Sequence, residues 1–134
     1  MRNAASTCSF KWFEEVWNKG RREAIDELLA SDILIHGLGA NGAPLQGSDH
    51  FKQYYDALQQ QFQDIHFTVE DVISQDDMES ARCTATATHK ENGRQVRFCG
   101  LSLVRIQNGK FVEAWNYFDF LSMYRQLGQE LPLQ

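Results

Sequence analysis

Two carboxylates, Glu113 and Asp119, lie within FVEAWNYFDF (residues 111–120), a segment with the aromatic and β-branched content of a buried strand. Strand alternation puts both on the face that carries Trp115 and Tyr117. Burying a carboxylate without a partner costs several kcal/mol, so at least one of them should be needed there. Their separation along the strand is roughly 20 Å at ~3.3 Å per residue, too far for the paired carboxylates of glycoside hydrolysis. Glu113 therefore reads as structural, satisfied by an arginine or a backbone donor. Asp119 remains as a single acid at the end of an apolar wall. Its pKa raised by that wall, it could take a proton from a carbon α to a carbonyl. A structural alternative stands beside this: Asp119 as the N-cap of the following FLSMYRQLG helix.

A developing enolate oxygen needs a donor, and His36, His89 and Tyr117 are the candidates. Trp115, Tyr55 and Phe62 would supply flat apolar contacts to a substrate, with Phe98 beside Asp119. His36 ends the first strand, His66 opens the second, and His50 sits in the first turn of a helix, where it reads as a surface residue. No HExxH or comparable spacing joins the four histidines, so no metal is expected. GLGAN (37–41) lacks the strand-glycine-helix context of a phosphate cradle, and no cofactor motif is present. The three cysteines, Cys8, Cys83 and Cys99, are odd in number and form no CxxC pair, which argues against a disulfide framework or a zinc site and for a reducing, cytoplasmic setting. Net charge is -5 with basic residues scattered, which disfavours nucleic acid as a partner. No apolar run is long enough for a signal peptide or a membrane span.

The elements that must position these residues read as one domain over 1–134, without repeats or linkers. Phe10, Phe13, Val16 and Trp17 recur at helical spacing, and NKG (18–20) stops that helix. A short helix in RREAIDELLA is followed by a strand in DILIHG and an irregular LGANGAPLQG. Ser48 is placed to cap a third helix striped by Phe51, Tyr54, Tyr55, Leu58 and Phe62. From His66 onward four strands alternate with turns, and Asn92-Gly93 and Asn108-Gly109 are two-residue hairpin signals. The order predicts an α+β fold with helices on one face of a curved antiparallel sheet.

If both Asn-Gly turns are two-residue loops, counting outward sets Asp119 beside Phe98 and Ala87, Tyr117 beside Gly100 and Ala85, and Trp115 beside Ser102 and Cys83. That inner face, with Ala81 and with His89 near Asp119, is walled by small residues and leaves volume for bulky helix side chains or for a ligand. The outer face would carry Arg82, Thr84, Thr86, Thr88, Arg97 and Arg105 mixed with Leu101, Leu103, Val112 and Phe118. This is apolar enough to predict a homodimer built partly on it.

VWNKG near the start, HFTVEDVISQDD in the middle and NGKFVEAWNYFD with YRQLG at the end resemble the SnoaL-like polyketide cyclases of the nuclear-transport-factor-2-like superfamily. The resemblance spans nearly the whole chain. It implies a cystatin/nuclear-transport-factor-2-like cone of curved antiparallel sheet wrapped by about three helices around an apolar pocket. It also implies that Asp119 matches the acid/base of an intramolecular aldol closure needing no metal or organic cofactor. One departure is the short THKENGRQ, where cyclases of this family often carry a longer Gly- and Thr-rich connection. Fold alone does not carry function. The expectation is a cyclase or isomerase acting on a hydrophobic small molecule, the alternative a non-catalytic binding protein for an apolar metabolite.

Overall fold

The aromatic residues near the start of the chain are brought to one side by a helix of two gauges. In the computed structural model, which describes residues 4–39 and 42–129, a 3-10 turn (Ala4–Ser6) precedes α1 (Cys8–Lys11). The Thr7 side chain caps α1 by accepting from the Phe10 N–H. α1 runs directly into a π-helical stretch, Trp12–Asn18, whose wider turn sinks Trp12, Phe13, Val16 and Trp17 into the core together. Asn18 ends it by docking on the sheet. Its Oδ1 accepts from the Phe67 N–H at 2.7 Å, and its Nδ2 donates to the Phe67 carbonyl at 2.8 Å. The stop in NKG is thus a tertiary contact, with Gly20 just beyond at a φ of +67°.

There follow α2 (Ala24–Leu28), β1 (Leu29–His36), β2 (Leu45–Gln46), α3 (Ser48–Gln61), β3 (Phe62–Gln75), β4 (Met78–His89), β5 (Gln95–Gln107), β6 (Lys110–Phe118) and α4 (Phe120–Gln126). β2 lies inside the segment expected to be irregular. Ser48 is the buried first residue of α3 rather than its cap: Gly47 holds the N-cap position and supplies no side chain. Four helices accompany the sheet, and among the described residues no helix is long and apolar enough to cross a membrane. The six strands run in the order β2-β1-β6-β5-β4-β3, antiparallel except for the β1–β6 pair.

Two details of register decide what faces where. The Asn108-Gly109 tip is the expected two-residue loop, with Gln107 opposite Lys110 and φ values of +53° and +77°. The Asn92-Gly93 tip is wider: the His89 N–H donates to the Arg94 carbonyl, and Lys90 to Gly93 form a four-residue loop. Phe98 consequently stands opposite Ala85, not Ala87, a shift of two that leaves every side chain on its expected face. β6 departs differently. Ile106 pairs with Phe111 but Arg105 pairs with Glu113, so Val112 is an extra, bulged residue. One inserted residue inverts the rest of the strand. Ala114, Asn116 and Phe118 turn inward, whereas Glu113, Trp115 and Tyr117 turn outward, with Trp115 opposite Leu103 and Tyr117 opposite Leu101. The expected shared inner face of Trp115, Tyr117 and Asp119 is corrected accordingly.

The small-residue wall of the inner face meets both of its expected fates. Ala81 and Cys83, at 0% exposure, are covered by an aromatic cluster in which Trp17–Tyr55, Phe13–Phe67 and Trp12–Phe51 have ring centroids 4.9, 5.0 and 5.2 Å apart. Such pairs add about 0.5–1.5 kcal/mol each beyond their buried area. Farther along, Ala85, itself buried, and the half-buried Ala87 line an open space instead.

Candidate active site

That open space is a cavity of about 960 Å³, at the upper end of the range for small-molecule sites. Ala85, Ala87, Val96 and Phe98 form its floor, Tyr54 and Leu58 from α3 one side, and Met123 and Tyr124 from α4 another. Phe62, His89 and Phe118 complete the wall, and Asp119 stands at the foot of α4. A smaller cavity of about 60 Å³ lies deeper, with Ser9, Ser102 and Asn116 among aromatic walls. Trp17, Leu38, Tyr54 and Phe118 line both spaces and separate them.

Asp119 reaches the cavity by leaving the strand rather than by alternating along it. After Phe118 the chain turns out of β6, held by the Asp119 N–H donating to the Cys99 carbonyl at 3.0 Å. Its Oδ1 then accepts from the Ser122 N–H at 3.0 Å, capping α4. Oδ2 has no partner among the described residues. The N-cap reading of this residue is thus met by one oxygen, which leaves the other unbonded. The residue is exposed, so the apolar enclosure expected around it requires something to fill the cavity.

The other site residues divide sharply. Phe62, Phe98 and His89 line the cavity. His89 is 6% exposed, its ring edge-to-face with Phe62 at 5.3 Å, and its Nδ1 is buried without a hydrogen-bond partner. Tyr55 does not line it: the neighbouring helical position points into the core, where the Tyr55 hydroxyl donates to the Val16 carbonyl at 3.0 Å. Tyr117 is 71% exposed on the outer face. His36 and Trp115, paired across β1 and β6, share that outer face. The His36 ring stacks on Trp115 at 5.5 Å and 16°, and its Nε2 lies 2.9 Å from Glu113 Oε2. Glu113 is therefore partnered by a histidine, not by the expected arginine or backbone donor, and His36, Trp115 and Tyr117 lie outside the cavity that Asp119 lines.

Tyr54, Tyr124, Trp17 and Phe118 are among the cavity residues that the sequence did not mark as site residues, Phe118 because the count put it on the outer face. Tyr54 belonged to the apolar stripe of α3, and nothing in that stripe separates a core position from a cavity position one residue away. Burial holds its phenol well above the ordinary tyrosine value, and the nearby Tyr124 adds to this. Its hydroxyl makes no hydrogen bond among the described residues.

Residues 9–127 match the family described as SnoaL-like polyketide cyclase. Among solved structures, IdmH from Streptomyces antibioticus, a candidate polyketide cyclase, superposes with a TM-score of 0.82 at 28% identity, covering 94% of this chain and 99% of that one. TsrD from Streptomyces laurentii gives 0.80 at 21% identity, covering 96% and 98%. A protein of ketosteroid-isomerase-like fold from Catenulispora acidiphila, in complex with trimethylamine, gives 0.81 at 16%, covering 92% and 94%. The last two likenesses concern the fold alone. No curated protein sequence matches. The curved six-stranded sheet with its helices is thus of the nuclear-transport-factor-2-like kind. Because the family match runs from α1 to the end of α4, enclosing every strand and all of the cavity lining but Gln129, the chain belongs to the SnoaL-like polyketide cyclase family.

Proposed function

We propose that the protein is a cofactor-independent cyclase or isomerase that moves a proton α to a carbonyl of a hydrophobic substrate, with Asp119 as the acid/base. The observation that carries this is the division of its carboxylate, with Oδ1 fixed by the Ser122 N–H and Oδ2 unpartnered at the wall of a cavity of about 960 Å³. In a ring closure, Oδ2 takes the proton from the α carbon, and the carbon so freed forms a bond to a second carbonyl carbon of the same molecule. The resulting alkoxide takes a proton back, so atoms balance and no external reactant is needed. Phe62, Phe98 and Phe118 would hold the flat apolar body of the substrate.

The capping bond favours a second reading, in which the protein binds an apolar metabolite without turning it over and Asp119 serves α4 alone. Screening hydrophobic ketones and polyketide-like esters for thermal stabilisation, then for turnover, begins to separate the two. Asp119→Asn keeps the size of the side chain and its capping oxygen. We expect it to lose about two or more decades of kcat with little change in melting temperature. Retained turnover in Asp119→Asn would remove the support for the first reading.

A further inference from the structure

We infer that His89 is the hydrogen-bond donor of the cavity, presenting Nε2–H to an oxygen of the bound ligand. The inference rests on the reading that the cavity takes a carbonyl compound, and it selects among the donors that such chemistry needs.

The other two donors weighed from the sequence, His36 and Tyr117, lie on the outer face of the sheet. His89 ends β4 on the inner face and lines the cavity. Its backbone is fixed on one side by the N–H donated to the Arg94 carbonyl and on the other by pairing with Phe62, whose ring also meets the imidazole edge-to-face. The ring is therefore held by packing while neither nitrogen has a partner among the described residues. That is an uncommon state for a polar side chain only 6% exposed.

The two nitrogens are not equivalent. Nδ1 is the one sealed from solvent without a partner. A proton on Nδ1 would leave a buried N–H unsatisfied, whereas a bare lone pair there costs less. The proton accordingly belongs on Nε2, the nitrogen that keeps access. A ring with its proton on Nε2 offers the cavity a donor. It suits a carbonyl oxygen that becomes an enolate, because an aligned N–H in a dry site stabilises charge as it develops.

The test uses Trp17, a cavity residue, as a fluorescent reporter of binding. The probes are 1-tetralone and tetralin, which share a bicyclic shape and differ in one carbonyl oxygen. We expect wild type to bind the ketone about tenfold tighter than the hydrocarbon, about the worth of one hydrogen bond. His89→Phe should abolish that preference. His89→Gln, whose amide nitrogen can stand near Nε2, should restore part of it, and Tyr54→Phe should keep it. Long-range 1H–15N NMR on wild type needs no variant to fold, and should find the His89 proton on Nε2, with that resonance shifting as the ketone binds. A proton on Nδ1, a wild type that binds the two probes equally or binds neither, or a preference that survives His89→Phe and vanishes in Tyr54→Phe overturns the assignment. Ketone binding through His89 without turnover of any carbonyl compound would sink the cyclase reading alone.

Discussion

The carboxylate of Asp119 gives one oxygen to a helix and leaves the other without a partner at a residue that lines the cavity, and single substitutions can separate the observed cap from the proposed chemistry. Asp119→Ala removes both oxygens and should lower stability by about 1 kcal/mol, the usual worth of an N-cap. Asp119→Asn should cost only a fraction of that. Melting curves in the order wild type, Asn, Ala, with turnover lost equally in both variants, are expected; equal melting of Asn and Ala would mean that the cap is worth nothing. Cys83 supplies a prediction of another kind. Sealed at 0% exposure, its thiol is pushed from 9.0 up to about 12 by burial. Above pH 9.0 the unfolded chain gives up this proton while the folded chain keeps it, so stability falls as pH climbs from 9.0 towards about 12. Tyr54 and Tyr55, whose phenols burial also raises, act in the same direction. Denaturant titrations at about pH 8 and about pH 10.5 should show a smaller loss between the two in Cys83→Ala than in wild type. An identical loss would mean that Cys83 does not titrate with unfolding.

Among the elements, the helices and the strand meander were legible because their hydrophobic periods are long and their turns carry Asn-Gly signals. What the sequence hid was parity. Val112 is the one β-branched residue of β6 and suits a regular strand position, so nothing in its type marks it as the bulge that turns Trp115 and Tyr117 away from the cavity. The wider Lys90–Gly93 loop also escaped, yet its shift of two residues is even, and Ala85, Phe98 and His89 stayed on the expected face. Asp119 was found by a count that did not place it, since it reaches the cavity through the turn into α4. Asn18 illustrates the same limit in a helix: NKG announces a stop, but the pairing of Asn18 with both backbone groups of Phe67 is a long-range contact. Asn18→Ala would strip partners from a part-buried N–H and carbonyl in β3. A loss of about 2 kcal/mol is expected by denaturant titration, with the position of Trp17 loosened beside the cavity. A loss under about 0.5 kcal/mol would show that water replaces the asparagine at no cost.

At the scale of the whole molecule the bulge has a second effect, on the outer face of the sheet. The count without it gave that face Val112 and Phe118; the structure instead gives it Trp115 and Tyr117 beside Leu101 and Leu103. Leu101, Leu103 and Tyr117 are 48%, 37% and 71% exposed, a contiguous apolar group because Leu101 stands opposite Tyr117 and Leu103 opposite Trp115. A monomer in water gains nothing from such a patch, whereas two copies related by a two-fold axis could cover it mutually. We expect sedimentation at micromolar concentration to give twice the 15.4 kDa chain mass. A double change, Leu101→Glu with Tyr117→Asp, should return it to the chain mass by placing charges where the copies meet. The two faces make this test informative about function as well. Leu101 and Tyr117 line neither cavity, so the monomeric variant should still bind a hydrophobic ketone with the affinity of wild type. A wild type that sediments at the chain mass would end the dimer prediction. A monomeric variant that folds but has lost the ligand would show that the cavity depends on the partner, and the site would then have to be redrawn across two copies.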